Sequence, residues 1–470
     1  VSRAALTATG LGAVLALLAA STARADRPAL VDAESLAGAA VRVHFTRTGA
    51  DAVPTADDDG NGIPDVVQAV ATHADAALAA YAELGLRPPL ADDGLADDGG
   101  DGRIDFYLMD LEDADGMFAA DTCTAQPTHC TGHLIIENDF VGFGYPSVEL
   151  AIKTLTSHEL FHAVQAAYDA DQPVAWSEGT AVWAEELVFP EQDDFEHLVA
   201  AFLERPARPF ERGGGGFGDA YPYGAALWPY FLEQRFGVEL LVAIWDALED
   251  TGDDPEFLDA TEALLPEFGV TLDEAWIEFT RWNAETGSYA APGHYPEAAR
   301  LAEATRESVH VGLGTVTTSI EGLSARYLAL LVEEDAEITV TAARGVAASV
   351  RLADGPTGAE LVIDAAESTD EFAVAEAHTV VARPRCDGAP CAVTLELVLS
   401  GVTPLTLPAD VEVVVRAAPP PAADDDVGGG CCQASGPGDG AAGGTLALLV
   451  SALIGAPRRR RRAPRAAQPW

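Results

Sequence analysis

One stretch constrains this chain more than any other. From 148 to 168 apolar residues recur at helical spacing, and Leu155, Leu160, Phe161 and Val164 make that helix a buried one. The same stretch carries His158 and His162, four residues apart, with Glu159 beside the first. Residues at i and i+4 share a helical face, so both imidazoles can bind one Zn²⁺. Glu159 is then placed to act on a water at the metal. The alternative is a core helix whose two histidines are satisfied by neighbouring protein groups.

A catalytic zinc ion takes three protein ligands and keeps one position open. The candidate third ligand is Glu178. Ser177 is a suitable N-cap residue, so a second helix is expected to start at Glu178. The 165–175 loop is long enough to fold that helix back along the first. Glu185 lies two turns further along the same face and can accept from a ligating histidine, fixing its tautomer. A third histidine ligand six residues after His162 is excluded, because Tyr168 stands there.

His158-Glu159-x-x-His162 followed by Glu178-Gly179-x-Ala181-x-x-x-Glu185 resembles the gluzincin pattern of the aminopeptidase-N and thermolysin-like metallopeptidases. The second segment is most similar to the aminopeptidase-N branch. Tyr221-Pro222-Tyr223-Gly224-Ala225-Ala226 resembles that branch's Tyr-x-x-Gly-Ala helix, whose tyrosine stabilises the oxyanion. The resemblance gives that role to Tyr221, with Tyr223 as the substitute. It covers roughly residues 40–290. The Gly-x-Met-Glu-Asn exopeptidase motif of the branch is missing, although Ile136-Glu137-Asn138 precedes the motif helix. The arrangement is also similar to secreted metallopeptidases of myxobacteria.

Two acidic loops carry a second reading. Asp57, Asp59, Asn61 and Asp65 alternate through a Gly-containing turn, with the Ile63 carbonyl between them. Such spacing converges oxygen ligands on a hard cation, which suits Ca²⁺. Gln68 stands where a full EF-hand has its Glu, so this is a short calcium loop. Asp97, Asp101 and Asp105 form a weaker second candidate, the alternative being an Asp/Gly turn.

The chain carries 27 basic and 75 acidic residues, a formal charge of −48, and Lys153 is its only lysine. Phosphate binding needs clustered Lys and Arg, so a nucleic-acid partner is excluded. Residues 1–25 read as a secretory signal peptide: Arg3, an apolar run, then Ala23-Arg24-Ala25. Cys123–Cys130 and Cys386–Cys391 read as small disulfide loops in an oxidising compartment. After a Pro/Asp/Gly linker over 419–430, residues 431–470 combine Cys431-Cys432, a short apolar stretch and Arg458 to Arg462. That tail resembles the surface-sorting signals of myxobacterial proteins. It implies membrane contact only through the tail, and export and sorting machinery as partners.

The expected fold class is α+β. A gluzincin-like catalytic region is built from a mixed sheet (38–150) and a helical zinc-site subdomain (151–296). A small β-sandwich (300–418) follows, read from short alternating strands. The expected function is an exported, surface-anchored zinc metallopeptidase acting on a peptide or protein substrate. Two other readings stay open: a non-catalytic, calcium-stabilised surface adhesion protein, and a zinc hydrolase of another substrate class.

Overall fold

The computed structural model describes residues 27–417, apart from 96, 112–113, 126–127, 193, 213–217, 250–255, 311–312, 333–335, 364–376, 386–391 and 403–407. The expected signal peptide, linker, sorting tail and Cys386–Cys391 disulfide therefore lie outside the described residues. The fold is α+β.

Five strands open the chain: β1 (Glu34–Ala37), β2 (Val41–Phe45), β3 (Ile104–Met109), β4 (Gly116–Cys123) and β5 (Cys130–Glu137). They form one sheet in the order β1-β2-β3-β5-β4, parallel across β2-β3-β5 and antiparallel at both edges. In β2 the alternation Val41, Val43, Phe45 buries one face fully, as period-2 side chains require. A disulfide joins Cys123 to Cys130 across the β4–β5 hairpin. Helix α1 (Asp65–Leu84) ends on Gly85 at φ 91°, a left-handed cap that any Cβ would strain. Its buried Tyr81 donates to the Ser157 carbonyl at 2.8 Å, tying α1 to the motif helix.

Helix α2 (Val148–Gln165) is that motif helix, capped by the Ser147 hydroxyl, and all its residues from Thr154 onward are buried. Helix α3 (Val174–Val188) starts four residues earlier than expected. Pro173 caps it with extended backbone (ψ 139°), and a proline disfavours helical backbone in the residue before it, so the helix does not run further back. Ser177 is therefore inside the first turn, not at the cap, and spends its hydroxyl on Gln165 Oε1 at 2.9 Å. Helices α4 (Asp194–Leu203), α5 (Tyr221–Gly224), α6 (Leu227–Phe236), α7 (Val238–Ala247), α8 (Phe257–Leu264) and α9 (Leu272–Ala284) complete the layer. The apolar run 221–236 is broken between α5 and α6. Pro229 explains this, because a helix continuous through it would clash with the Ala225 carbonyl. Trp176, Trp183, Trp228, Trp245 and Trp276 are all fully buried among these helices. A Cβ on Gly179 of α3 would sit 3.1 Å from the Ala225–Ala226 peptide, so the glycine lets the α5–α6 junction press against the site helix.

The remaining strands are β6 (Arg306–His310), β7 (Gly314–Ile320), β8 (Ser324–Val332), β9 (Ala336–Ala342), β10 (Val346–Asp354), β11 (Glu360–Ile363), β12 (His378–Arg385), β13 (Val393–Gly401) and β14 (Ala409–Ala417). They make two sheets, β10-β13-β8-β6 and β11-β12-β9-β14-β7, antiparallel except for β6 with β8. Alternate residues of both sheets share an apolar core, including Leu330, Ile338, Val340, Leu395, Val411 and Val413. The sheets are joined to the helices by buried polar contacts. Tyr327 donates to the Thr280 carbonyl at 2.9 Å, and the Thr280 and Ser400 hydroxyls bond at 2.6 Å. Among the described residues no helix is long and apolar enough to cross a membrane.

Candidate metal centre

Helices α2 and α3 bring His158, His162 and Glu178 together, all buried. Nε2 of His158 lies 3.1 Å from Nε2 of His162 and 3.2 Å from Glu178 Oε2, and the third side is 3.5 Å. Zinc–ligand bonds of about 2.0–2.2 Å at tetrahedral angles separate ligand atoms by roughly 3.3–3.6 Å. The triangle therefore has the dimensions of one face of a tetrahedral site. It is the one group of three or more His, Cys, Asp or Glu side chains with ligand atoms this close among the described residues.

The outer hydrogen bonds decide which ring nitrogens carry protons. Gln165 donates through Nε2 to the Ser177 carbonyl at 2.8 Å, which fixes its amide orientation. Its Oε1 must then accept from Nδ1 of His162 at 2.8 Å. Glu185 Oε1 accepts from Nδ1 of His158 at 2.6 Å. With both Nδ1 atoms protonated, the two Nε2 lone pairs and a carboxylate oxygen face one another. Three acceptors at this range need a proton or a cation between them. Without a metal a proton takes that place. Burial works against a charge on His158, but the carboxylates of Glu178 and Glu185 outweigh it and raise its pKa well above the ordinary value. Burial also opposes the charge on Glu178, yet His162 and His158 hold its carboxyl down to about 2.

Glu159 stands beside this triangle with both carboxylate oxygens buried and without hydrogen-bond partners among the described residues. Burial pushes its carboxyl up to about 7, with His158 and His162 opposing. Burial likewise takes Glu185 up to about 7. Strand β4 begins against this group: a Cβ on Gly116 would lie 2.8 Å from Glu159 Oε1. Only glycine leaves the Glu159 carboxylate that space.

The two tyrosines of the α5 motif part company. Tyr221 is buried, stacks on Phe202 at 5.1 Å and donates to the Arg208 carbonyl at 2.8 Å. It faces the core and is not beside the triangle. Tyr223 is half-buried, and its ring is 6.0 Å from that of His158. Two residues along a one-turn helix point to nearly opposite sides, so only one of the pair can face the site.

The acidic loops also differ. In the first, Asp57 and Asp59 each accept from the Asn61 amide at 3.1 Å. Asn61 accepts from the Ile63 amide at 2.8 Å, and Asp65 turns back to the Asp58 amide at 3.1 Å. These hard oxygens lie on one turn, with Asp59 and Asn61 exposed and Asp57 and Asp65 half-buried, and the Ile63 carbonyl accepts from Gln68 Nε2 at 3.2 Å. The second loop does not gather its carboxylates. Asp101 pairs with Arg42 and Arg103, Asp97 is exposed, and Asp105 is a buried residue of β3. Asp105 takes Arg27 and, at 2.7 Å, His44. The Asp105 carboxylate lies against Gly99 of the loop, where a Cβ would collide with it, but it is buried and committed to Arg27 and His44. Arg27 is enclosed by Asp92, Asp105 and Asp121, and Asp121 also bonds His133 at 3.0 Å.

Sequence reasoning missed Gln165, Gly116 and the Arg27 cage. Gln165 had a signal: it lies one turn after His162 on the same helical face.

No family model, no curated protein and no solved structure matches the chain.

Proposed function

We propose that this chain is an exported, surface-anchored zinc metallopeptidase with a gluzincin-type site. One observation carries the reading. Three buried lone-pair atoms form a triangle of 3.1–3.5 Å, and a buried carboxylate with two unpartnered oxygens stands against it. A purely structural site has no use for Glu159. When bound to His158, His162 and Glu178, zinc would supply Lewis-acid chemistry, polarising the scissile carbonyl and acidifying a water to near pH 7.

The chain's own groups do the rest. Glu159, beside the metal triangle with both oxygens unpartnered among the described residues, takes a proton from the attacking water and returns it to the leaving amine. Glu185 and Gln165 hold the two imidazoles in the Nδ1–H tautomer. The oxyanion-donor role is assigned to Tyr223, whose ring lies 6.0 Å from that of His158, rather than to Tyr221, whose hydroxyl serves the Arg208 carbonyl. The paired C-terminal sheets act as a β-sandwich appended to the catalytic region, and the first acidic loop takes Ca²⁺ as a structural ion. The signal peptide and the Cys- and Arg-containing tail carry the protein out of the cell and hold it at the surface.

Metal analysis of the purified chain tests the reading together with a peptidase assay. About one zinc per chain is expected, lost in His158→Ala and His162→Ala. Glu159→Gln keeps the metal and loses roughly 10²–10⁴-fold in rate. Full activity in zinc-free protein overturns it.

A further inference from the structure

The link between the two ligand-bearing helices is held from outside by a disulfide-closed hairpin. Residues 166–173 join α2, which carries His158 and His162, to α3, which carries Glu178. Ala166 ends α2, and its amide donates to the His162 carbonyl at 2.9 Å. Its own carbonyl accepts from the Cys130 amide at 2.8 Å. Two further bonds run between the same parts. The Ala170 amide donates to the Thr128 carbonyl at 2.8 Å, and the Thr128 amide donates to Oδ1 of the buried Asp169 at 3.0 Å. On the hairpin side all three bonds fall on Thr128 or Cys130. Asp169 Oδ2 accepts from Gln172 Nε2 at 2.6 Å, and Gln172 Oε1 accepts from the Phe257 amide at 2.9 Å, so the grip extends to α8.

Few contacts besides the disulfide close that end of the hairpin. Strand β4 is an edge strand, and its register with β5 slips between Ala120 and Thr122. Past the slip the ladder holds two residue pairs, Thr122 with Thr131 and Cys123 with Cys130. The Thr124 amide then donates to the His129 carbonyl at 2.8 Å. A short, irregular edge segment of this kind opens locally at little cost. Opening would stop at Asp121, which Arg27 and His133 pin to the sheet. Cys123 is exposed and Cys130 is buried, so a reductant reaches the bond from the Cys123 side.

We propose that Cys123–Cys130 is a redox latch on the metal centre. Oxidised, it holds the α2–α3 link and keeps the triangle at its observed spacing; reduced, it lets the hairpin end open and the zinc site loosen. This rests on the zinc reading of the triangle, and not on peptide cleavage. The reductant is a small dithiol. Its thiolate attacks the Cys123 sulfur, the S–S bond breaks, and Cys130 leaves as a thiolate and takes up a proton. The dithiol's second thiol then displaces Cys123, which also takes up a proton, and the dithiol becomes a cyclic disulfide. Thiol pools keep such a bond open in the cytoplasm, and it closes in an oxidising compartment. A chain with the export signals read from its sequence thus completes its metal centre only after leaving the cytoplasm.

Zinc affinity by chelator competition tests this, on the full chain oxidised and after reduction by a phosphine, a reductant with no thiols of its own. Reduction should weaken zinc binding by about 10–100-fold, the range for disturbed outer partners of ligating histidines. Cys123→Ser,Cys130→Ser has no thiolate there to bind zinc itself, and should show the weakened affinity with or without phosphine. Cys386→Ser,Cys391→Ser should respond as the unaltered chain does. Hydrogen exchange should quicken on reduction at the Thr128, Cys130 and Ala170 amides and stay slow in α1 and β9. If the Cys123→Ser,Cys130→Ser protein fails to fold, the oxidised and reduced forms of the unaltered chain decide alone. Equal affinity in those two forms overturns the latch and leaves the zinc reading standing. Reduction that unfolds the whole chain also overturns it, because the bond would then be a general staple. A chain that binds no zinc in either form overturns the zinc reading together with the latch.

Discussion

Gln165 and His162, one helical turn apart on α2, share a 2.8 Å hydrogen bond in which the imidazole Nδ1 can only donate. The direction is set at a distance, by the Ser177 carbonyl on α3 that captures the other end of the amide. Packing of α2 against α3 thus chooses the histidine tautomer, and with it the nitrogen left to bind a metal.

Gln165→Ala should therefore weaken zinc binding by about 10–100-fold, the usual cost of losing an outer partner of a ligating histidine. Glu185→Ala should do the same through His158. Chelator competition measures both. Unchanged affinity in both variants would show that the outer hydrogen bonds do not tune the site.

Zinc affinity should rise with pH through the neutral range. Metal-free His158 has a pKa well above 6.5, so near pH 7 it is protonated, and zinc must expel that proton. Calorimetry in buffers of different ionisation enthalpy should detect about one proton released per zinc. The raised pKa values of His158, Glu159 and Glu185 also mean that the metal-free fold binds more protons here than the unfolded chain does. Their stabilising contribution is full below the unfolded values and is lost as pH rises through the folded ones. The thermal midpoint of metal-free protein should fall from pH 6 to pH 8, and zinc should remove most of that slope. Opposite slopes would refute the assignment.

Tyr223→Phe should lower kcat by about 10²–10³-fold with little change in KM, as for a lost oxyanion donor. Tyr221→Phe should leave kcat unchanged and cost roughly 1 kcal/mol of stability, because its hydroxyl serves the Arg208 carbonyl. Steady-state kinetics and thermal melts on the two variants separate the roles. A rate loss confined to Tyr221→Phe would reverse them.

Calcium should raise the thermal midpoint by mass action, and Asp59→Ala should abolish the shift without removing zinc. Asp101→Asn should leave the shift intact, because Asp101 answers to Arg42 and Arg103. A midpoint constant from micromolar to millimolar calcium would leave the first loop as an acidic turn.

The clustering of His158, His162 and Glu178 was legible because their spacing is a local property. His158 and His162 share a face of one helix, and Glu178 and Glu185 share a face of the next. Strands such as β2 and β9 were legible for the same reason, through alternation within a few residues. The start of α3 was misjudged because Pro173 outranks Ser177 as a boundary. Tyr221 and Tyr223 could not be told apart from sequence, since both fit the motif and only the packing of α5 on Phe202 turns one inward. Asp105 looked like a loop ligand because its arginine partner is 78 residues away in sequence.

The three aspartates around Arg27 also set the limits of any recombinant form of this protein. Beginning a fragment at residue 28 would delete one cation and leave Asp92, Asp105 and Asp121 confronting each other, with only His44 and His133 at hand. Deleting a single partner from a buried ion cluster typically costs about 3–5 kcal/mol, a large share of a domain's margin. A designer would therefore keep residue 27 and attach any fusion partner ahead of it, by a spacer that lets the guanidinium reach its place.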